Sequence, residues 1–146
     1  MQSNEGPDME PLDALVGEWT MEAGPPGGPP WPGDARVSFE WLDRAYLIER
    51  WSVDMPEAPD GIAIIGPDQS GENLVQHYFD TRGVARVYGM RLERGVWKLW
   101  RDGEDFSQRF SGNFSEDGTR IEGRWEIAHD GETWETDFDL TYVRVE

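Results

Sequence analysis

His77, Tyr78, Asp80 and Arg82 fall within one short run, the densest mixture of titratable and aromatic groups in the chain. A histidine beside a carboxylate can accept a proton as general base, and Arg82 or Arg86 can steady the anion that develops. The same run also reads as a turn, with Asp80 capping backbone N–H groups and Gly83 supplying a positive φ. In an extended strand His77 and Tyr78 face opposite ways, so at most one of them lines an interior. His77 is thus a catalytic candidate, and the structural reading stands beside it.

A second set arises where polar side chains alternate with large apolar ones: Glu40, Arg50, Arg86, Tyr88, Trp100, Gln108 and Arg109. An arginine inside a fold needs a carboxylate, either from the protein or from a ligand, because burying it unpaired is too costly. The alternative is an exterior position, pairing with some of the 30 Asp and Glu residues. With His77 and Tyr78, these seven make up the candidate ligand-binding residues. Trp41, Trp51, Trp97, Trp100, Trp125 and Trp134 can wall a flat ligand, or can simply be core.

Other chemistries find no foothold. The chain has 0 cysteines, which removes thiolate nucleophiles, cysteine-held zinc and iron–sulfur clusters, and fits a reducing cytoplasm. No Asp-x-Asp-x-Asp-Gly loop, paired-histidine spacing or Gly-x-Ser-x-Gly elbow occurs, so neither a metal nor a hydrolytic serine is expected.

The elements that must position these groups are strands. Arg36 to Leu42 sets Val37, Phe39 and Trp41 on one face against Arg36, Ser38 and Glu40 on the other. Similar segments are Glu18 to Ala23, Tyr46 to Asp54, Ile62 to Ile65, Asn73 to Asp80, Val84 to Glu93, Val96 to Asp102, Phe106 to Phe114, Arg120 to Ala128 and Thr133 to Val145. Along Tyr46 to Asp54, Leu47, Glu49, Trp51 and Val53 oppose Tyr46, Ile48, Arg50 and Ser52, so both faces carry large groups. Most joints are short, and two contain Asp-Gly, at 117–118 and 130–131, which forces neighbours to pair antiparallel. The exception is the proline- and glycine-rich run 24–33, which reads as a loop or lid.

No helix follows the Leu12, Leu15 and Val16 turn, so the sheet has no helical layer and must close on itself or stack as a sandwich. The short connections favour an all-β fold: a single antiparallel up-and-down barrel of about ten strands with a short N-terminal helical turn capping one end. Residues 1–10 read as a flexible tail and 11–146 as one domain, a size that buries a sizeable core without staples.

With 13 Lys and Arg against 30 acids, the net charge is −17. Such a chain repels phosphate backbones and anionic bilayers, so neither nucleic acid nor a membrane is an expected partner. Met1 to Leu12 lacks the basic and apolar regions of a signal peptide, and no run is long enough to span a bilayer, in keeping with a cytoplasmic location.

Leu12-x-x-Leu15-x-Gly17-x-Trp19 ahead of a strand resembles the opening motif of the calycin-like group, the lipocalins, fatty-acid-binding proteins and nitrobindins. Phe39-Glu40-Trp41-Leu42, Ile65-Gly66-Pro67-Asp68, the run His77 to Val84, Val96 to Asp102, Phe106 to Gly112 and Gly123-Arg124-Trp125 are similar to a bacterial calycin-like family of unknown function. The resemblance implies a barrel around a ligand, with arginines on acid head groups as in fatty-acid-binding proteins. Nitrobindins hold haem through a histidine near the barrel's end. Thr133 to Val145 has none, and His129 sits in an expected turn, so no cofactor is expected.

Three functions remain open. One is the binding of a small apolar or aromatic molecule, with or without an acid group, in the barrel. A second is an enzyme in the same cavity using His77 or a buried carboxylate, and a third, by analogy alone, is haem or nitric-oxide binding. A small molecule is the expected partner, and a homodimer is left open.

Overall fold

The alternation of side chains becomes ten strands in the computed structural model, which describes residues 9–145. They are β1 (Gly17–Gly24), β2 (Ala35–Leu42), β3 (Tyr46–Val53), β4 (Gly61–Pro67), β5 (Leu74–Asp80), β6 (Ala85–Glu93), β7 (Val96–Arg101), β8 (Ser107–Phe114), β9 (Arg120–Ala128) and β10 (Glu135–Arg144). Each pairs antiparallel with its sequence neighbours, and β1 also pairs with β10, so the sheet closes into a barrel. Closure satisfies every strand edge and removes the aggregation hazard of an exposed one.

Parity decides what is inside. On β2, Ala35, Val37 and Phe39 are buried while Arg36 and Glu40 face water. On β10 the parity needs help: Thr136 pairs with Glu126 and Phe138 with Trp125, so one extra residue makes a bulge. Beyond it Phe138, Leu140 and Tyr142 share one face, and that face lines the interior.

One end of the barrel is a floor. The expected N-terminal turn is a 3-10 helix, Glu10–Ala14, that sends Leu12 into the core, with Leu15 buried just after it. Of the residues expected as a tail, 1–8 lie outside those described, and Glu10 belongs to this 3-10 helix. Trp19 is fully buried and donates from Nε1 to the Leu15 carbonyl at 2.8 Å. Arg144 fastens this plug, donating at 2.7 Å to the carbonyls of Ala14 and Val16 while its guanidinium lies 4.2 Å from the Trp19 ring centroid. Gly17 leaves the room: a Cβ there would sit 2.7 Å from Arg144 Nη1, and its φ is +126°.

The other end is a mouth, formed by the β1–β2, β3–β4, β5–β6, β7–β8 and β9–β10 connections. The loop over 24–33 bends back across it, with Trp31 N–H donating to the Ala23 carbonyl at 2.7 Å and Gly27 N–H to Asp139 at 2.9 Å.

Candidate functional site

Inward-facing residues of β1, β3, β5, β7, β9 and β10 do not fill the barrel completely. They leave a cavity of about 210 Å³ lined by Met21, Ala23, Glu49, Trp51, Gln76, Tyr78, Trp97, Leu99, Trp125, Phe138, Leu140 and Tyr142. A second recess of about 310 Å³ lies under the mouth loop, among Trp31, Pro32, Gly33, Val53 and Met55. Met21 and Ala23 line both, so the recess continues into the cavity.

The wall is a run of aromatic rings. Trp51 stacks on Tyr78 at 5.3 Å between centroids, Tyr78 meets Tyr88 edge-on at 6.2 Å, and Tyr88 meets Trp125 at 5.6 Å. Trp125 lies near-parallel to Phe138 at 6.5 Å, and Phe138 contacts Trp31 of the mouth loop at 5.9 Å. Trp51 reaches this position by lying across Gly61, where a Cβ would come within 2.1 Å of its ring.

Polar groups interrupt the apolar lining, among them Glu49, Gln76 and Trp97, only 6%, 4% and 1% exposed. Gln76 Oε1 and Trp97 Nε1 have no hydrogen-bond partner. Burial alone pushes the Glu49 carboxyl up to about 8, because no nearby cation offsets the lost hydration. Burial also raises the Tyr142 phenol, and the Glu49 charge adds to that. At neutral pH both groups are protonated.

Nearer the mouth the polar groups are paired with one another. The enclosed Asp80 carboxylate accepts from the Tyr78 hydroxyl at 2.5 Å, from Arg82 N–H at 2.9 Å and from Arg82 Nη2 at 2.6 Å. The Arg82 side chain, with these other bonds, holds Asp80 well below the usual carboxylate range. Burial, reinforced by Asp80, raises Tyr78, which stays a neutral donor. Gln108 Oε1 accepts from the Tyr88 hydroxyl at 2.9 Å, and Arg86 and Arg101 each approach the Phe106 ring at 5.2 Å.

No family model matches the sequence, and no curated protein matches it. A crystal structure of Rv2717c from M. tuberculosis matches over 98% of this chain and 100% of that one, with a TM-score of 0.65 and 13% identity. The chain shares its fold with Rv2717c. At that identity the likeness carries the barrel and nothing about its contents.

Of the nine candidate binding residues, Tyr78, Arg86, Tyr88 and Gln108 fall on the inward parity, and Tyr78 lines the cavity. The other five belong to the outer wall. Glu40 and Arg50 approach each other there at 3.8 Å. Arg109 pairs with Glu126 at 2.6 Å and covers Trp134. Trp100 roofs Gly89, where a Cβ would come within 2.5 Å of its ring. His77 is exposed, level with Ile64 and Val87 in the neighbouring strands, so it cannot work on a guest in the barrel. Asp80, its expected carboxylate, is engaged by Tyr78 and Arg82.

Of the six candidate tryptophans, Trp51, Trp97 and Trp125 line the cavity. Trp41 donates instead to Asp13 at 2.8 Å. Glu49 and Gln76 were missed. Their signal was parity: Glu49 alternates in step with Leu47, Trp51 and Val53, and Gln76 with Leu74 and Tyr78.

Neither histidine lines the cavity, His129 lying against Phe106 in the β9–β10 connection, so the residues present do not fit histidine-held haem.

Proposed function

We propose that the protein binds a small apolar or aromatic molecule inside the barrel and acts by carrying, storing or sensing it. The observation that carries this reading is the cavity of about 210 Å³ walled by Trp51, Tyr78, Trp125 and Phe138. A dry apolar cavity of about 150 Å³ suffices for benzene, so this one suits a single ring with a short substituent. The recess under Trp31 gives a larger guest somewhere to extend, or a small one a way in. The Gly17 and Trp19 motif at the floor supports a kinship with calycin-like barrels, within which such binding is the natural use of the fold.

The test is a titration of propylbenzene and of an environment-sensitive fluorophore, read by tryptophan emission and competition. Saturation at one guest per chain supports the proposal. Linear, non-saturating signals at every concentration would remove it.

Glu49 favours a second reading, an enzyme in the same cavity with this carboxyl as acid or base, since a group titrating near 8 is poised for proton transfer. A screen of small metabolites that finds turnover lost in Glu49→Gln would support it, and binding without turnover would return the site to simple carriage.

A further inference from the structure

An oily container needs no carboxyl at its heart, and this inference, which rests on the binding reading above, concerns what that carboxyl is for. Glu49 on β3, Gln76 on β5 and Trp97 on β7 come from separate strands and converge on one space, each more than nine-tenths buried. Buried polar groups are almost always hydrogen-bonded within a protein, and those left over mark a place where something else supplies the partner. Tyr142 is the titratable neighbour whose phenol feels Glu49; Phe39 and Ala63 flank Glu49 in register and carry no charge. The Asp80 and Arg82 pair is engaged with Tyr78 nearer the mouth.

Three properties of the site then agree on one sign of charge. The unpartnered Gln76 Oε1 calls for a donor from the guest, and the Glu49 carboxyl accepts one once its proton has left. The rings of Trp51, Tyr78, Trp125 and Phe138 line the space, and aromatic rings attract a cation brought over them. The chain's net charge of −17 raises the local concentration of cations and lowers that of anions. We propose that the cavity selects a small protonated amine with an aromatic or alicyclic body, its ammonium paired with Glu49 and donating to Gln76 Oε1. The body fills the space between Trp51, Trp125 and Phe138. Trp97 Nε1 remains as a donor for an oxygen on the guest or for a water that enters with it.

The proton balance is definite. In the empty barrel at neutral pH Glu49 is a carboxylic acid; pairing with an ammonium turns it into a carboxylate, and its proton passes to solvent. Amine binding therefore releases about one proton per guest near neutral pH and strengthens as pH rises, until the amine itself loses its proton.

The experiment compares three probes of nearly one shape on the full chain at pH 7: 2-phenylethylamine, propylbenzene and 3-phenylpropionate. Calorimetry in two buffers of different ionisation enthalpy gives affinity and proton release; tryptophan emission follows propylbenzene. The expected ranking puts the amine about tenfold or more ahead of both others, with proton release seen for it alone. Glu49→Gln, a near-isosteric change, should weaken the amine by roughly thirtyfold or more and remove its lead over propylbenzene. Gln76→Leu should weaken the amine less.

Propylbenzene binding as tightly as the amine, the acid binding tightest through Arg86 or Arg101, or amine affinity unchanged in Glu49→Gln would each overturn the proposal while leaving the container intact. If none of the three binds the wild-type chain, the binding reading falls as well. The wild-type ranking needs no variant, so misfolding of a mutant does not protect the proposal.

Discussion

Replacing Glu49 by glutamine should stabilise the empty barrel at neutral pH and do little in acid. In the unfolded chain this carboxyl titrates near 4.5, and in the folded barrel near 8. Its folded value is raised, so its acidic form is the one the fold tolerates. That tolerance is fully present below about pH 4.5 and is lost progressively as pH rises, because the unfolded chain gains the hydration of an ionised carboxylate that the folded chain lacks. At about 1.4 kcal/mol per pH unit, the penalty reaches about 3 kcal/mol at pH 7 and levels off above pH 8.

Glutamine keeps the shape and carries no charge in either state. Urea unfolding of both proteins at pH 4.5, 7 and 8.5 should therefore show a stability difference near zero in acid and about 3 kcal/mol in favour of Glu49→Gln at pH 7. In a thermal scan at pH 7 this is a rise in Tm of about 6–12 °C for a chain of this size. Differences between the two proteins cancel the pH dependence of the other carboxylates, which matters in a chain with 30 of them. A gap independent of pH, or a variant less stable than wild type at pH 7, would mean that Glu49 is solvated or paired, and the account of the cavity would fail.

Three further outcomes are expected. Asp80→Asn should cost about 1–2 kcal/mol, since it removes the charge that Arg82 and the Tyr78 hydroxyl address. Asp80's folded pKa is depressed, so this difference should persist above about pH 4 and fade as acid protonates the wild-type carboxylate, as urea curves at pH 3 and 7 will show. Arg144→Gln should release the carbonyls of Ala14 and Val16 and uncover Trp19, costing about 2 kcal/mol and shifting tryptophan emission to the red. Ala23→Phe, at the neck shared by the recess and the cavity, should slow propylbenzene association about tenfold or more in stopped-flow fluorescence while leaving the far-ultraviolet dichroism unchanged.

The strands were legible because period-two alternation survives in almost every segment, and the turns because Asp-Gly and Arg-Gly pairs sit where the chain reverses. Strand ends were less so. The strand expected over Ile62 to Ile65 continues through Gly66 and Pro67 in β4, since Tyr46 roofs the glycine and the proline needs no ladder donor at a strand's end. The bulge before Phe138 left no sign in the sequence, because one extra residue shifts parity without changing composition. The site was harder. Arg50 and Glu49 are neighbours on a strand with large groups on both faces, so parity groups Glu49 with Leu47 and Trp51, and closure of the barrel decides that this face goes in and Arg50 out. An acid among so many acids gives no compositional hint that it is buried.

The cost of Glu49 bears on what the cavity does. Leucine at that position would add apolar burial and remove the penalty, and the rings of Trp51, Trp125 and Phe138 would hold an uncharged ring without it. A neutral guest leaves Glu49 protonated and unpaired, gaining nothing from it, while an anionic guest enters a low-dielectric space whose lining holds no cation to pair with it. An ammonium alone converts the penalty into attraction, since the carboxylate and its partner are then desolvated together. Discrimination arises from the unfavourable state of the empty site more than from the strength of any contact in the filled one. It follows that a Glu49→Leu barrel should be the more stable protein and the less selective container.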